Sequence, residues 1–229
     1  MPSFHLFVAT GFAAVLVIVP SFGQAPARVR GTITSIDDGS ITVKERDGRT
    51  FTLKTGLYTA YAYVVPSSLE AIKVNNFVGC AVKGPLGSFV AVELAIIPEN
   101  MRAGRISLYD WDPLPDPTFR HTADMTSTSR TNGSVSNLSS GAPEFTNTKM
   151  TNGVVFAKKV GPAGLTLTVT YDGGSRSFQI AVPPNASIVR YVLSDRSAVA
   201  AIGSAVMIKT NPGDQAGLVT VGKGVRPPM

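Results

Sequence analysis

One pattern of short strands and tight turns is written twice in this chain, which commits it to small, strongly turned β-sheets. The first copy runs Val29-Arg30-Gly31-Thr32-Ile33-Thr34-Ser35-Ile36, turns at Asp37-Asp38-Gly39, and continues Ser40-Ile41-Thr42-Val43-Lys44-Glu45. It turns again at Asp47-Gly48 and resumes Arg49-Thr50-Phe51-Thr52-Leu53-Lys54. The second runs Thr151-Asn152-Gly153-Val154-Val155-Phe156, turns through Gly161-Pro162-Ala163-Gly164, and reads Leu165-Thr166-Leu167-Thr168-Val169-Thr170-Tyr171. After Asp172-Gly173-Gly174 it resumes Ser177-Phe178-Gln179-Ile180-Ala181-Val182. Apolar and polar side chains alternate in each run, the period of a strand with one buried face. Gly accepts the positive φ that a tight hairpin turn demands, so each half is predicted to open with a three-stranded meander.

Each half also closes alike. A short helical or turn stretch, Pro66 to Lys73 or Ser194 to Ala201, leads into an apolar strand, Phe77 to Val82 or Ala205 to Lys209. A turn at Gly84-Pro85-Leu86-Gly87 or Asn211-Pro212-Gly213-Asp214 precedes a last strand, Phe89 to Leu94 or Gly217 to Val221. Five to six strands and one short helix in so few residues fit a small closed barrel, which also removes exposed edges. Composition agrees: 22 Gly, 16 Pro and only 16% charged residues suit strands and turns better than long charged helices. Units this small are marginal alone, so the two halves are expected to pack on each other.

These phrases carry a resemblance. Val29-Arg30-Gly31-Thr32-Ile33, Ile41-Thr42-Val43, Asp47-Gly48 and Phe51-Thr52-Leu53 resemble a bacterial family of secreted domains of unknown function with an OB-like barrel, often in tandem. Met150-Thr151-Asn152-Gly153-Val154, Tyr171-Asp172-Gly173-Gly174 and Val182-Pro183-Pro184-Asn185-Ala186 resemble the second domain of such proteins. The resemblance spans about two thirds of the chain; it implies a fold and an envelope location, and no activity. The expectation is therefore a mainly all-β chain: a signal peptide over 1–27, a first OB-like barrel over 28–101, an irregular linker over 102–148, and a second OB-like barrel over 149–229. Arg130-Thr131-Asn132-Gly133-Ser134-Val135 nearly repeats the start of the second unit, so that start floats by about twenty residues.

The signal reading rests on Leu6 to Val19, an uncharged apolar run shorter than the roughly 20 residues of a membrane span. Pro20 and Gly23 break any helix, and Ala25-Pro26-Ala27 offers the small residues a signal peptidase accepts, with the cut placed after Ala27. Met1 to His5 carries no Lys or Arg, so a retained N-terminal anchor is the rival reading. The expected product is periplasmic or secreted, with no stable span after cleavage.

In the linker, Asp110-Trp111-Asp112-Pro113-Leu114-Pro115-Asp116-Pro117 is predicted to be extended chain stiffened by proline, and Thr118 to Lys149 an irregular Ser/Thr-rich segment. Trp111, the single tryptophan, is read as pinning the linker to a barrel, with a stacking platform for a ligand as the other role.

Little chemistry is written here. Past the signal segment His121 is the one histidine, and no base can be assigned to a Ser or Cys nucleophile. Cys80, the single cysteine, sits in an apolar run and reads as a buried structural thiol. Asp110, Asp112 and Asp116 occupy positions 1, 3 and 7 of a calcium loop, but Pro115 stands where Gly is required and His121 where the bidentate Glu belongs. No catalytic residue, metal site or cofactor is expected.

One binding constellation stands out. Tyr61 and Tyr63 alternate onto one strand face with Tyr58 just before them, and Lys44, Arg46, Arg49 and Lys54 lie on the neighbouring hairpin. Aromatic faces interleaved with basic side chains are how OB-type barrels hold single strands or sugars. The alternative buries the tyrosines and leaves the charges on a solvated face. A formal net charge of +6 either serves solubility alone or favours anionic partners. The expected function is non-catalytic envelope binding or scaffolding, with an enzyme of unknown class as the last alternative. Its candidate partners are an anionic envelope polymer, an oligosaccharide, single-stranded nucleic acid or another envelope protein, reached through these residues and Trp111.

Overall fold

The computed structural model describes residues 25–102, 108–118 and 145–227. It is mainly β, as the alternation requires. The first half supplies β1 (Arg28–Asp37), β2 (Ser40–Glu45), β3 (Thr50–Lys54), β4 (Ala60–Pro66), β5 (Phe77–Lys83) and β6 (Phe89–Ile97). A further strand, β7 (Leu108–Pro115), precedes β8 (Phe145–Gly161), β9 (Gly164–Tyr171), β10 (Arg176–Val182), β11 (Ser187–Ser194), β12 (Ala205–Asn211) and β13 (Gln215–Gly222). The two short helical turns fall where expected. A 3-10 turn spans Leu69–Ala71, and α1 (Arg196–Val199) is capped by the Asp195 carboxylate, which accepts from the Ala198 N–H.

Both meanders form, β1-β2-β3 and β8-β9-β10. Their closure departs from expectation. β1 pairs with β12, from the other half, and β8 pairs with β5. Ring one is therefore β1-β2-β3-β13-β12, closed at the parallel pair Gln215↔Lys54. Ring two is the five-stranded barrel β8-β9-β10-β6-β5, closed by the parallel pairs Ile180↔Phe89 and Ala181↔Val90. Each ring takes three strands from one half and two from the other. The expectation of two tandem barrels, one per half, is corrected accordingly: the halves exchange their last two strands.

The exchange is reciprocal in register. Gly31 of β1 faces Val206 of β12, and Gly153 of β8 faces Val78 of β5. Both glycines sit where the chain crosses its neighbour too closely for a side chain. A Cβ on Gly31 would lie 2.1 Å from the Lys44 carbonyl oxygen, and one on Gly153 would lie 2.5 Å from that of Thr170. Just beyond, both strands carry a bulge, between Ile33 and Ser35 and between Val155 and Ala157. A bulge bends the strand, which lets it serve both sides of a small ring.

β4 and β11 join the rings. They pair antiparallel, with β13 parallel beside β4 and β6 parallel beside β11. Val64↔Tyr191 lies at the centre of an approximate two-fold axis, since the equivalent residues Tyr63, paired with Val221 of β13, and Arg190, paired with Ile96 of β6, each stand one residue before it. Three cores result. Val29, Ile33, Ile41, Val43 and Ile208 fill ring one, and Cys80, Leu94, Leu167, Val169 and Ile180 fill ring two. Ala62, Val64, Ala81, Ala95 and Tyr191 form the third core in the seam between them. Full burial of each such Val, Ile or Leu contributes about 1.5–3 kcal/mol, so neither ring can shed its borrowed strands cheaply.

The linker is corrected in part. Residues 108–115 form β7, which pairs with the leading end of β8, and β8 begins at Phe145. Arg130 to Val135, His121 and residues 1–24 lie outside the described residues. Ala25, Pro26 and Ala27, expected to end the signal peptide, lie against ring one. The Ala25 N–H donates to Asp214, the Thr210 hydroxyl to the Pro26 carbonyl, and the Thr210 N–H to the Ala27 carbonyl.

Candidate functional site

The residues singled out in sequence do not form one face. Tyr61 is buried in the core of ring one, and Tyr63 packs against that core with the Lys223 ammonium 3.8 Å above its ring. Tyr58 is 95% exposed at a loop tip beside Leu57. Lys44, Arg46 and Lys54 are exposed on β2, β3 and their turn, while Arg49 is held by Glu45 at 2.8 Å and Asp47 at 2.5 Å. Inward tyrosines and outward cations follow from the period-2 geometry: the ring closes on one side of the sheet and leaves the other in water.

Trp111 is different. It lies on β7, half-buried against the seam core. The Arg28 guanidinium stacks over its ring at 3.9 Å, and Tyr109 meets it edge-on at 5.6 Å. Beside it Asp112 takes a bidentate pair of bonds from Arg28, at 2.9 and 3.0 Å, and a third from Arg30 Nε at 3.1 Å. These bonds, that of Arg28 foremost, outweigh partial burial and hold the Asp112 carboxyl below the usual carboxylate range. The pinning role read for Trp111 agrees with this packing.

The other two carboxylates of the would-be calcium loop are also taken by cations. Lys149 of β8 reaches Asp110 at 2.5 Å, and Lys83 of β5 reaches the buried Asp116 at 2.5 Å. Burial works against the charge on Asp116, but Lys83 and two bonds from Thr118 prevail and keep its carboxyl low. Among the described residues no cluster of three metal-ligating side chains occurs. The three acids instead fasten β7 to both rings at once: Asp112 to ring one, Asp110 and Asp116 to ring two.

Beneath β7, between the rings, lies a cleft of about 350 Å³. Tyr109 and Trp111 form one wall, and Tyr191, at the centre of the two-fold axis, lines it as well. Burial pushes the Tyr191 hydroxyl up, Glu93 nearby adds to the shift, and both keep it protonated. Ring one contributes Arg28, Met207, Lys209 and Leu218, and ring two Ile97, Met150 and Asn152. Aromatic and methionine walls with a few polar groups are what small-molecule clefts are made of. Cys80 takes no part: it is buried within ring two, and burial alone pushes its thiol up to about 12.

Sequence reasoning found Trp111 and missed the rest of this site. A local signal existed for two pairs, because Arg28 with Arg30 and Tyr109 with Trp111 each stand two residues apart and must share a face. Nothing local joins the pairs to Tyr191 or Lys209. Comparisons with protein-family models, with curated proteins and with solved structures find no match.

Proposed function

We propose that the chain is a non-catalytic binding protein of the cell envelope, built from two OB-like barrels that exchange their last two strands, with its ligand site in the seam cleft. The strand order of each ring, first-second-third-fifth-fourth, supports the OB-like reading. The observation that carries the binding reading is the cleft itself, walled by Trp111, Tyr109 and Tyr191 and braced by ion pairs to both rings. Such bracing holds the walls in place before a ligand arrives, which lowers the cost of binding. The envelope location rests on the apolar segment Leu6 to Val19 and is tested by N-terminal sequencing of the exported protein, a cut after Ala27 being expected. Native mass spectrometry of protein purified from the cells that make it tests the binding. A bound small molecule, absent from Leu218→Phe, is expected; the bare chain mass in both would contradict it.

A second reading is favoured by one observation. Lys44 and Lys54 lie exposed on the second and third strands of ring one, with Arg46 in the turn between them, the face OB-type barrels use for polymers. On this reading the partner is an anionic polymer. Retention on heparin that falls steeply with salt, and falls further in Lys44→Glu with Lys54→Glu, supports it; retention indifferent to salt removes it.

A further inference from the structure

The two-fold relation of the rings shows what their shared wiring does not need, and so where the cleft has been specialised. Arg28 and Arg30 stand two and zero residues from the position before Gly31, as Met150 and Asn152 stand before Gly153. Lys209 faces Arg28 across β12, and its counterpart Ala81 faces Met150 across β5. One wall of the seam therefore carries Arg28, Arg30 and Lys209 at the positions where the other carries Met150, Asn152 and Ala81. Fold maintenance asks for no such contrast, because the same backbone register is satisfied by both sets.

On the cationic wall Arg28 and Arg30 both reach Asp112, and Arg30 has a further interaction of its own. Lys209 is exposed at the rim and makes no ion pair among the described residues. The indole Nε1 of Trp111 is buried in the same region with no hydrogen-bond acceptor among the described residues. Opposite, Met150 and Ile97 offer only apolar surface.

We propose that the cleft binds a small amphipathic organic anion, a carboxylate or an isosteric oxyanion on an apolar body. Its head lies toward Arg28 and Lys209 and its body against Met150, Ile97 and Trp111. This rests on the binding reading above and names the ligand class of that site. About 350 Å³ stands at the lower end of the range for ligand clefts, so the ligand is a small one. Methionines on both walls adapt to the shape of the body, and the charge difference between the walls sets its direction.

Trp111 is the single tryptophan and a wall of the cleft, so its emission reports occupancy directly. The purified protein is titrated with 4-phenylbutanoate and with octanoate, each against its uncharged carboxamide, at constant ionic strength. Saturable binding of at least one carboxylate is expected, about tenfold tighter than its amide, as a charge-assisted contact provides. The preferred body tells an aryl from an alkyl ligand. Lys209→Glu is expected to weaken the carboxylate about tenfold and leave the amide unchanged, and Leu218→Phe to weaken both. Equal binding of acid and amide, with Lys209→Glu silent, overturns the anion assignment while the binding cleft stands. Carboxylate binding that survives Leu218→Phe overturns its placement in the cleft. No binding by any of the four overturns the anion assignment, and a bare mass in the native spectrum is then needed for the binding reading to fall with it.

Discussion

Ring one and ring two share their wiring, their close-packed glycine and their bulge, and differ at the positions that face the seam. Inside, Ile33, Ile41 and Val43 of one correspond to Val155, Leu167 and Val169 of the other. The interior of a five-stranded ring is narrow, and β-branched and Leu-sized side chains fill most of it in both. Outside, Arg28 and Lys209 stand against Met150 and Ala81. Ring two also lends its first strand, at 17 residues against 10 in β1, to pair with β7. The two rings thus differ where packing leaves them free, and the cleft lies in the part that differs.

Breaking the shared part costs most. Gly31→Val and Gly153→Val are each expected to destabilise by about 3 kcal/mol or more, because the added side chain meets a backbone carbonyl that cannot withdraw. Urea unfolding of the two variants should show losses of similar size. A loss confined to one would mean that the rings are not equivalent at this crossing. Trp111→Ala comes next, with about 2–3 kcal/mol for a half-buried indole stacked under Arg28. Its effect belongs to the part that differs, so β7 amides should exchange faster while those of β2 and β9 stay protected.

Acid tests the fastening of β7. The Asp112 and Asp116 carboxyls are held low in the folded chain, so in acid the unfolded chain binds more protons. Their contribution is complete above the ordinary carboxylate value of about 4 and is lost as pH falls below it. Asp112→Asn is expected to cost about 1 kcal/mol at neutral pH, screening included, and to flatten the acid limb of the stability curve. An unchanged limb would show that the Arg28 and Arg30 bonds do not contribute. The smallest effect has the opposite sign. Thr151 stands in ring two where Val29 stands in ring one, and its buried hydroxyl has no partner among the described residues. Thr151→Val copies ring one and should stabilise by about 1 kcal/mol in the same urea measurement.

Strands and turns were legible because their signals are local. Asp47-Gly48 and the Ile41-Thr42-Val43 alternation state a hairpin within a few residues, and Gly48 does adopt a positive φ of 90°. The exchange left no such trace. β5 would close on β1 of its own half with the same apolar faces it presents to β8, and sequence alternation cannot tell two such partners apart. For the same reason Tyr61 and Tyr63 were placed on one strand face correctly, while which side of the ring that face closes on was not given. β7 was hidden by Pro113 and Pro115, which argue against a central strand but are tolerated on an edge. The cleft joins residues as far apart as Arg28 and Leu218, and it exists only once the halves interlock.

That interlocking is tested most directly through the single cysteine. In the exchanged ladder Cys80 faces Thr151. By the register of the other ring, where Val29 faces Ile208, a chain closed half by half would set Cys80 opposite Val29. Facing residues of antiparallel strands have Cα atoms about 4.5–5.5 Å apart, within the span of a disulfide. Thr151→Cys and Val29→Cys are refolded under oxidising conditions and mapped by mass spectrometry. The exchanged fold requires a Cys80–residue 151 disulfide in the first variant and a free thiol pair in the second; a disulfide between residues 29 and 80 would contradict it.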